Sequence, residues 1–570
     1  MSHKGIGNGG SIHGSWLMAH GFMTSLILVG VSAILFVLSF PPFYVWPAMP
    51  VSVGLLTFMA VEANSGKRAV GVVMGAQFLM WLWIQRWMIE VTVVGWPGLA
   101  LFLSLYGVLY VGLVRWIGRS GRTGGLPMTV VVPVVWTGVE FLRGGIVMNG
   151  YPWFLAGHPM VEQTMLVQSA DLFGAYFISF LVAMVGGLLV DGLRWRQGNC
   201  CGKRLVLYGC AVGIIVIGNY GYGMIRQFDK QGEKFRGLAI QTNLGQSNKI
   251  KWSREDQEKD FASFVRQTEE ALAASGNKPD LIIWPETMVP GFGLDEETLS
   301  FLETNGYVPG RQYFNALRGL GERSGVPLLV GSSCTEGLAV VGGKPIWDAR
   351  YNSAYLIDGS GETQRYDKVF LTPFGETMPY ISNWDWLEEK LLAFGAGGMS
   401  FDLDAAEQPR ILEVNQSEET IPIATPVCYE DTVPWLCRKM VYEKGRKRVR
   451  VLVNISNDGW FGEHDAGRAQ HVQISRFRCI ENRVPMIRCA NTGLSVAIDS
   501  FGNVIGRVGE GRYGSGRVAG SLAATVIMDD RETLYGRIGD LWAWGCLLGT
   551  IALFGGCRFN RKRTLQKESE

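Results

Sequence analysis

Three residues with side chains suited to cysteine-dependent acyl transfer, Glu286, Lys368 and Cys428, each follow a segment that we predict to be a strand. A thiolate can form a covalent acyl intermediate, a carboxylate can accept the thiol proton, and an ammonium group can stabilise an oxyanion. Strands that end at the same edge of a sheet bring such side chains together. The residue types and their positions therefore predict acyl transfer through a covalent intermediate.

Cys428 is the predicted nucleophile because of the residues on either side of it. It lies in Thr-Pro-Val-Cys-Tyr-Glu-Asp at 425–431, after an apolar run at 421–424. A lone cysteine in a strand is commonly a small buried hydrophobic residue. Pro426 before it and polar residues directly after it instead predict a sharp turn, where a nucleophile can be presented. A cation beside the thiol would lower its pKa.

The predicted general base is Glu286, in Trp-Pro-Glu-Thr at 284–287, and Lys368 is the predicted oxyanion-stabilising residue. The alternatives for Glu286 are a helix cap or a surface carboxylate, and a lysine at a strand end is ordinary by itself. A second carboxylate, Glu376, lies in the loop 373–379, which two prolines and a glycine restrain. It can orient Lys368 or the attacking group, and the alternative is a carboxylate in a turn.

The sequence predicts neither a metal nor another cofactor. His464 and His471, with Asp465 between them, are a weak metal signal, and we expect a solvated helix there instead. No phosphate-binding loop or dinucleotide motif occurs, and no Lys/Arg-rich block marks a nucleic-acid site. Five cysteines lie between residues 227 and 535, so at least one thiol stays unpaired within a monomer.

Composition indicates a membrane protein with one globular domain. The chain has 570 residues, of which 48% are hydrophobic and only 18% charged, and its mean hydropathy is +0.14. Residues 1–226 carry few charges, whereas residues 227–535 have an ordinary globular composition. We predict a transmembrane domain at 16–226, a globular domain at 227–535, a C-terminal transmembrane helix at 536–557 and a basic tail at 558–570.

Eight apolar segments are predicted to cross the membrane as helices. They lie at 20–39, 48–63, 69–89, 98–117, 128–146, 172–192, 204–224 and 537–556. Lysine and arginine residues follow the second, fourth, sixth and eighth segments, while the opposite loops are poor in charge. By the positive-inside rule, both termini are then cytoplasmic and the globular domain lies outside the cytoplasmic membrane.

The globular segment alternates predicted strands and helices, which is an α/β pattern with sheets covered by helices. The predicted strands lie at 237–241, 281–284, 327–330, 351–357, 421–427 and 449–455, and the predicted helices at 255–274, 310–324 and 465–482. Asp-Gly and Phe-Gly pairs supply turns between several of them.

These motifs together resemble the nitrilase superfamily, whose members share an αββα sandwich and a Glu-Lys-Cys triad. The resemblance implies that Glu286, Lys368 and Cys428 form the triad and that Glu376 is the superfamily's second glutamate. Asn-Ile-Ser-Asn-Asp at 454–458 is also similar to a later segment of the superfamily.

With seven predicted spans before the globular domain and one after it, the whole chain resembles the apolipoprotein N-acyltransferase family of the bacterial envelope. The added motifs are Tyr-Asp-Lys at 366–368, Pro-Phe-Gly-Glu at 373–376, Asn-Asp-Gly-Trp-Phe-Gly at 457–462, Asn-Thr-Gly at 491–493 and Gly-Tyr-Pro-Trp at 150–153. Gly459 lies where family members often carry threonine or another small residue, and Cys437 is unexpected so close to Cys428. Neither departure touches the predicted triad.

The resemblance implies a two-step transfer of a fatty acyl chain at the bacterial inner membrane, with the globular domain in the periplasm. A membrane phospholipid, commonly phosphatidylethanolamine, would acylate Cys428. The acceptor would be the α-amino group of the N-terminal diacylglyceryl-cysteine of an apolipoprotein. The resemblance also implies that Tyr429 and Glu430 support the site and that Trp252 engages lipid or substrate.

Two alternatives stay open at the level of sequence. A membrane-tethered nitrilase or amidase would use the same three residues with water as the second nucleophile, although a tether needs only one span. A non-catalytic lipid-binding or scaffolding protein could keep the fold without the chemistry, but it would have no use for all three reactive residues.

Overall fold

A computed structural model describes most of the chain. It covers residues 21–119, 126–199, 201–228, 232–245, 252–306, 309–342, 344–373, 375–377, 403–415 and 419–569, with the backbone alone beyond residue 556. The start of the first predicted span and parts of the loop 373–379 lie outside these ranges.

Apolar helices build the part of the molecule that we call the membrane half, residues 22–227 together with the last helix. Its main helices are Phe22–Ser39, Ala48–Glu62, Gly66–Ile84, Gly95–Arg119, Met128–Phe141, Ala175–Arg196, Gly202–Gln227 and Leu541–Ser569. Short helical turns lie at Arg86–Glu90, Leu142–Ile146, Val147–Asn149, His158–Glu162, Thr164–Leu166 and Ala170–Phe173.

Each predicted membrane segment coincides with one of the main helices. By length and composition, five helices in the described chain can cross a bilayer, at Phe22–Ser39, Gly95–Arg119, Met128–Asn149, Ala175–Arg196 and Gly202–Gln227. Two further apolar helices, Ala48–Glu62 and Leu541–Gly556, are shorter. The helices are therefore confirmed as elements, while the count of eight spans stays a prediction.

Two six-stranded sheets form the centre of the globular domain, residues 234–533. The first sheet has the strand order Gly520–Ile527, Lys234–Gln241, Leu281–Ile283, Leu328–Glu336, Ala349–Ile357 and Thr363–Asp367. The second has the order Val504–Arg507, Val496–Ile498, Met486–Ala490, Val451–Ser456, Thr420–Ala424 and Leu412–Asn415. In each sheet three neighbouring strands run parallel and the other strands pair antiparallel. Two small hairpins join Ala339–Val341 to Lys344–Ile346 and Tyr442–Glu443 to Arg446–Lys447.

The two sheets pack face to face, so the domain is the αββα sandwich that the resemblance implied. A Cβ atom on Gly237 would lie only 2.4 Å from Cδ1 of Ile487 on the opposite sheet, which explains the glycine at this position. The thiol of Cys489 reaches across to the Ile283 carbonyl at 3.3 Å.

Helices cover the outer faces of both sheets. They are Arg254–Ala274, Glu296–Thr304, Gly310–Ser324, Pro434–Val441 and Asp465–Asn482, while a short helix at Leu534–Ile538 precedes the last helix of the membrane half. The first begins where the Ser253 side chain accepts a hydrogen bond from the Asp256 N–H, and the third ends at Gly325 in a left-handed conformation.

The helix Asp465–Asn482 is buried on every side, because the membrane half covers the face turned away from the sheet. Residues 467–482 are all buried. Arg476 donates from Nη2 to the Val161 carbonyl at 2.7 Å, and Arg483 Nη2 lies 2.7 Å from Oδ2 of Asp171. The expectation of a solvated helix here is therefore wrong, since the sequence pattern did not show that a second surface would cover it.

Candidate active site

A cavity of about 700 Å³ lies between the membrane half and the globular domain, within the size range of small-molecule sites. The membrane half contributes apolar side chains to its wall, among them Trp87, Met88, Leu99, Phe102 and Met148. The globular domain contributes polar side chains, among them Glu286, Asn352, Glu376, Cys428 and Asn457. Four of the predicted site residues, Glu286, Glu376, Cys428 and Tyr429, therefore share one space with an apolar wall.

Cys428 is the first residue of a short 3₁₀ helix, Cys428–Thr432, which we call the Cys428 turn. Its φ angle is +54°, a left-handed conformation that is rare for residues other than glycine and is common at functional sites. Asn454 holds this conformation by donating from Nδ2 to the carbonyls of Pro426 at 2.9 Å and Cys428 at 3.3 Å. The predicted sharp turn is thus present.

The charge state of the Cys428 thiol follows from its surroundings. Burial raises its pKa, and the negative charge of Glu286 raises it further, while the nearby Lys368 ammonium lowers it only in part. The neighbouring cation lowers the pKa as expected, but burial and the carboxylates outweigh it, so the net pKa lies above the ordinary value. The resting thiol is therefore protonated at neutral pH, and the predicted attack on a carbonyl would require a base.

Glu286 lies three residues after the end of the strand Leu281–Ile283. Its side chain accepts hydrogen bonds from two donors. Asn352 donates from Nδ2 to Oε1 at 2.7 Å, and the Asn457 backbone N–H donates to Oε2 at 2.7 Å. Glu286 is only 6% exposed, so it is not a surface carboxylate, and it is not a helix cap because the next helix begins only at Glu296. Both oxygens are aligned by hydrogen bonds, as a general base requires.

Lys368 is fully buried between two carboxylates. Its Nζ lies 2.6 Å from Oε2 of Glu376 and 3.9 Å from Oε1 of Glu286. Burial by itself would lower the pKa of Lys368, but the two carboxylates outweigh it and raise the pKa. Lys368 is therefore a permanent cation next to the thiol.

Glu376 is the second partner of that cation. Burial acts to raise its pKa, but the charge of Lys368 together with hydrogen bonds from Lys368 and Thr372 outweighs burial and lowers it. Its Oε2 also accepts from the Thr372 N–H at 2.8 Å, and its Oε1 lies 3.3 Å from Nδ2 of Asn352. This ion pair fixes the direction of the Lys368 side chain.

Glu430 connects the Cys428 turn to the segment that follows Lys368. Its oxygens accept from the Tyr366 hydroxyl at 2.8 Å and from the backbone N–H groups of Val369 at 2.7 Å, Phe370 at 2.9 Å and Val427 at 2.8 Å. Burial raises the pKa of Glu430 to about 7. The carboxylate thus joins the two segments that carry the thiol and the ammonium group.

Tyr429 lies between two aromatic rings from different parts of the molecule. Its ring is nearly parallel to that of Trp153 at a centroid distance of 6.4 Å and to that of Phe370 at 6.2 Å. Trp153 belongs to the membrane half, so Tyr429, which directly follows Cys428, packs against that half of the molecule.

The structure adds polar contacts that the sequence interpretation did not assign to the site. Asn352 contacts both Glu286 and Glu376, and Asn457 holds Glu286 through its backbone. Asn352 lies in a predicted strand, where a single polar residue on an otherwise buried face was the available signal. His471 is also buried beside the cavity, next to Asp431.

Two further predictions concern metals and Trp252. Within the described residues, no group of three His, Cys, Asp or Glu side chains is arranged to hold a metal ion. Trp252 donates from its indole nitrogen to Oδ2 of Asp260 at 2.8 Å and is not among the described residues that line the cavity. Its role in lipid or substrate binding stays a prediction.

Comparison with known proteins matches both halves of the chain. Residues 32–188 match the family model described as the apolipoprotein N-acyltransferase N-terminal domain, and residues 242–521 match the carbon-nitrogen hydrolase model. An apolipoprotein N-acyltransferase from Geobacter metallireducens is 30% identical over 477 residues, which are 82% of this chain and 81% of that protein. One from Chlorobaculum tepidum is 28% identical and covers 93% of this chain and 96% of its own length.

Solved structures resemble the globular domain. An amidase from Nesterenkonia sp. AN1 aligns with 54% of this chain and 98% of its own, with a TM-score of 0.34 and 17% sequence identity. A carbon-nitrogen hydrolase from Helicobacter pylori aligns with 55% of this chain and 94% of its own, with a TM-score of 0.35 and 15% identity.

Proposed function

We propose, from the premise that this chain belongs to the apolipoprotein N-acyltransferase family, that it transfers a fatty acyl group from a phospholipid to an apolipoprotein through Cys428. The observation that carries the proposal is the shared cavity, because Cys428 and Glu286 line the same space as apolar side chains of the membrane half. Burial of an acyl chain there is favourable by about 0.8 kcal/mol for each methylene group. A small soluble amide has no such chain to bury against the apolar side chains.

The first step forms a thioester. Glu286 accepts the thiol proton while the Cys428 sulfur attacks the carbonyl carbon of the phospholipid ester. The ester C–O bond then breaks, and Glu286 returns the proton to the glycerol oxygen of the leaving lysophospholipid. The Lys368 ammonium, oriented by Glu376, stabilises the tetrahedral oxyanion.

The second step forms an amide. The α-amino nitrogen of the diacylglyceryl-cysteine attacks the thioester carbonyl carbon, and Glu286 accepts a proton from that nitrogen. The C–S bond breaks, and the Cys428 thiolate takes the proton back from Glu286. The products are a triacylated lipoprotein and the free thiol, so the enzyme returns to its starting state.

The proposed donor is a phospholipid, with phosphatidylethanolamine as the specific choice. Arg350 is the only lysine or arginine among the described residues that line the cavity, and a guanidinium can bind a phosphate through two parallel hydrogen bonds. Arg350 and Asn352 are two residues apart on one strand, so they lie on the same face, roughly 7 Å apart.

We further propose that the globular domain is periplasmic and that both termini are cytoplasmic. Basic residues gather at one end of the membrane half, where Arg115 Nη1 donates to the Ala63 carbonyl at 2.6 Å, Arg119 Nε donates to the Val61 carbonyl at 2.6 Å, and Arg194 Nε lies 3.3 Å from Oε1 of Glu62. The positive-inside rule assigns this end to the cytoplasm.

The cavity belongs to the opposite end of the membrane half. The helix Gly66–Ile84 starts at the basic end, and Trp87 follows its other end. The Trp87 ring contacts Phe461 of the globular domain at a centroid distance of 4.8 Å. A basic end on the cytoplasmic side therefore supports a catalytic domain on the periplasmic side.

The test is mass spectrometry of the protein in phosphatidylethanolamine vesicles. We expect a fatty acyl adduct on Cys428 that a diacylated lipopeptide discharges with formation of the triacylated product, and a smaller adduct with diacylglycerol, which lacks the phosphate. Cys428→Ala and Cys428→Ser should lower transfer by roughly a thousandfold or more while folding persists. Cys201→Ser is the matched control, because Cys201 is an exposed thiol of the membrane half.

The same experiment separates the transferase from the alternatives. Discharge of the adduct by water at an equal rate, without any lipopeptide product, would favour a hydrolase. Undiminished transfer by Cys428→Ala would contradict the proposed nucleophile.

A further inference from the structure

His471 lies beside the cavity and has no part in the two proposed chemical steps. It belongs to the helix Asp465–Asn482 and is only 2% exposed. Its Nε2 lies 2.6 Å from Oδ1 of Asp431, and its Nδ1 lies 3.5 Å from Oδ1 of Asp458. The imidazole therefore bridges two buried carboxylates that come from different segments of the chain.

Each of these carboxylates lies close in sequence to a residue that carries or contacts one of the two proposed reacting groups, the Cys428 thiol and the Glu286 carboxylate. Asp431 belongs to the Cys428 turn, three residues after the thiol. Asp458 directly follows Asn457, whose backbone N–H donates to Oε2 of Glu286 at 2.7 Å. A change in the separation of the two carboxylates would therefore move the nucleophile relative to the base.

Other buried groups contact the same two carboxylates. Arg488 places Nη2 2.7 Å from Oδ2 of Asp458 and Nη1 3.2 Å from Oδ2 of Asp431, and its Nη2 lies 3.0 Å from Nδ1 of His471. The Ser475 hydroxyl donates to Oδ2 of Asp431 at 2.7 Å. Because Arg488 alone still joins the two carboxylates, the domain should fold without the imidazole.

The membrane half also contacts the imidazole, through Trp153. The ring of Trp153 lies 5.4 Å from that of His471, and the ring of Phe461, from the globular domain, lies 6.3 Å from it. Among the buried groups around Asp431 and Asp458 named here, His471 is thus the one that contacts the Cys428 turn, the segment after Asn457 and the membrane half.

We propose that His471 is a positioning residue for acyl transfer. By contacting both Asp431 and Asp458, it fixes the distance between the Cys428 turn and the segment after Asn457. This distance keeps the Cys428 sulfur within reach of Glu286. The inference rests on the proposed function, since it takes Cys428 as the nucleophile and Glu286 as the base. A displacement of about 1 Å in such a pair is enough to slow a reaction on the order of a hundredfold.

The test measures single-turnover acylation of Cys428 in the full-length protein, in phosphatidylethanolamine vesicles. For His471→Asn we expect the acylation rate to fall at least tenfold, with the KM for phospholipid within twofold of the original and the melting temperature unchanged. His471→Gln should lose less, because its longer amide still reaches Asp431. His464→Asn, at the start of the same helix, is the matched control and should keep the original rate.

A double-mutant cycle separates positioning from general destabilisation. If His471 acts through Asp431, the variant His471→Asn with Asp431→Asn should be no slower than the slower of the two single variants. Independent effects that multiply would overturn the inference. So would an unchanged rate in His471→Asn, or a loss of rate that follows a lower melting temperature in both His471 variants.

Failure of this inference differs from failure of the proposed function. Absence of an acyl adduct on Cys428 in the original protein would remove both. Normal acylation of Cys428 in the original protein and in His471→Asn would remove only the role of His471.

Discussion

Burial and charge set different protonation states for neighbouring groups in this site. Burial raises the pKa of the Cys428 thiol, so the sulfur rests as a neutral thiol. The carboxylates of Glu376 and Glu286 outweigh burial at Lys368 and raise its pKa, so the ammonium stays charged. For the proposed reaction, a protonated thiol next to a fixed cation requires a base, and the proposed base, Glu286, is held by two donors in the same cavity.

Glu430 leads to a prediction about pH. Burial raises its pKa to about 7, and only the ionised carboxylate can accept from all four of its donors. Acylation of Cys428 should therefore fall as the pH drops through about 7, and Glu430→Gln should remove this dependence while lowering the rate. The measurement is the single-turnover acylation rate between pH 5.5 and 8.5, a range chosen as about 1.5 units either side of that pKa.

The sign for stability is opposite. An unfolded glutamate has a pKa of about 4.3, so the folded state binds the Glu430 proton more tightly. Its contribution to stability is thus present below that value and is lost as the pH rises through about 7.

Glu413→Gln, on an exposed part of an edge strand, is the control for the rate prediction and should leave the acid side of the rate profile unchanged. An acid limb that persists in Glu430→Gln would contradict the assignment.

At the scale of single elements, a loop of the membrane half contacts the Cys428 turn of the globular domain. The loop around Trp153 is held by Arg143, which donates from Nη1 to the Trp153 carbonyl at 2.7 Å, and by Glu140, which accepts from the Ala156 N–H at 2.7 Å. Trp153 then packs against Tyr429 at a centroid distance of 6.4 Å. The loop of the membrane half thereby supports the Cys428 turn.

Trp153 is the residue at which this support can be tested. Trp153→Ala should cost about 3–5 kcal/mol of stability, as expected for loss of a buried large aromatic side chain, and should also slow acylation of Cys428. Trp153→Phe should keep most of both properties, because it retains a ring against Tyr429. Thermal unfolding and acylation rate are the measurements, and Trp83→Ala, at a side chain that is 54% exposed, is the control. A stable, fully active Trp153→Ala variant would argue against a supporting role.

At the scale of the whole molecule, buried ion pairs fix the globular domain on the membrane half. Arg483 contacts Asp171 at 2.7 Å, with both side chains almost fully buried, and Arg476 Nη1 lies 3.3 Å from Oε1 of Glu162. Removing one partner of such a pair leaves an uncompensated buried charge, which costs several kcal/mol. The apolar wall and the reactive groups therefore keep one arrangement around the cavity.

The proposed orientation predicts the result of a reporter experiment. A phosphatase that requires disulfide bonds should be active when fused after Asn305 in the globular domain, because disulfides form outside the cytoplasm. The same reporter fused after Gln197, between two helices at the basic end of the membrane half, should be inactive. Activity in the opposite order would contradict the charge argument.

Local pattern was enough to find most elements of the fold. The predicted helices 310–324 and 465–482 have the bounds of the observed ones, and the strand predicted at 351–357 is observed at Ala349–Ile357. Strand ends differ more, since the strand predicted at 421–427 is regular only over Thr420–Ala424, with one further bridge from Val427 to Ile455. The periods of 2.0 and 3.6 residues come from the chain's own geometry and are therefore visible in a single sequence.

Residue types and their positions at strand ends likewise indicated Glu286, Lys368 and Cys428, because nucleophile, base and cation are rarely presented together by chance. The contacts of Asn352, Asn457 and His471 with this site needed the folded chain. They join segments that are far apart in sequence and meet only when the two sheets pack together and the membrane half covers the helix that carries His471. Packing also decided the net pKa of Cys428, which burial raises despite the nearby cation, since the extent of burial is a property of the assembled structure.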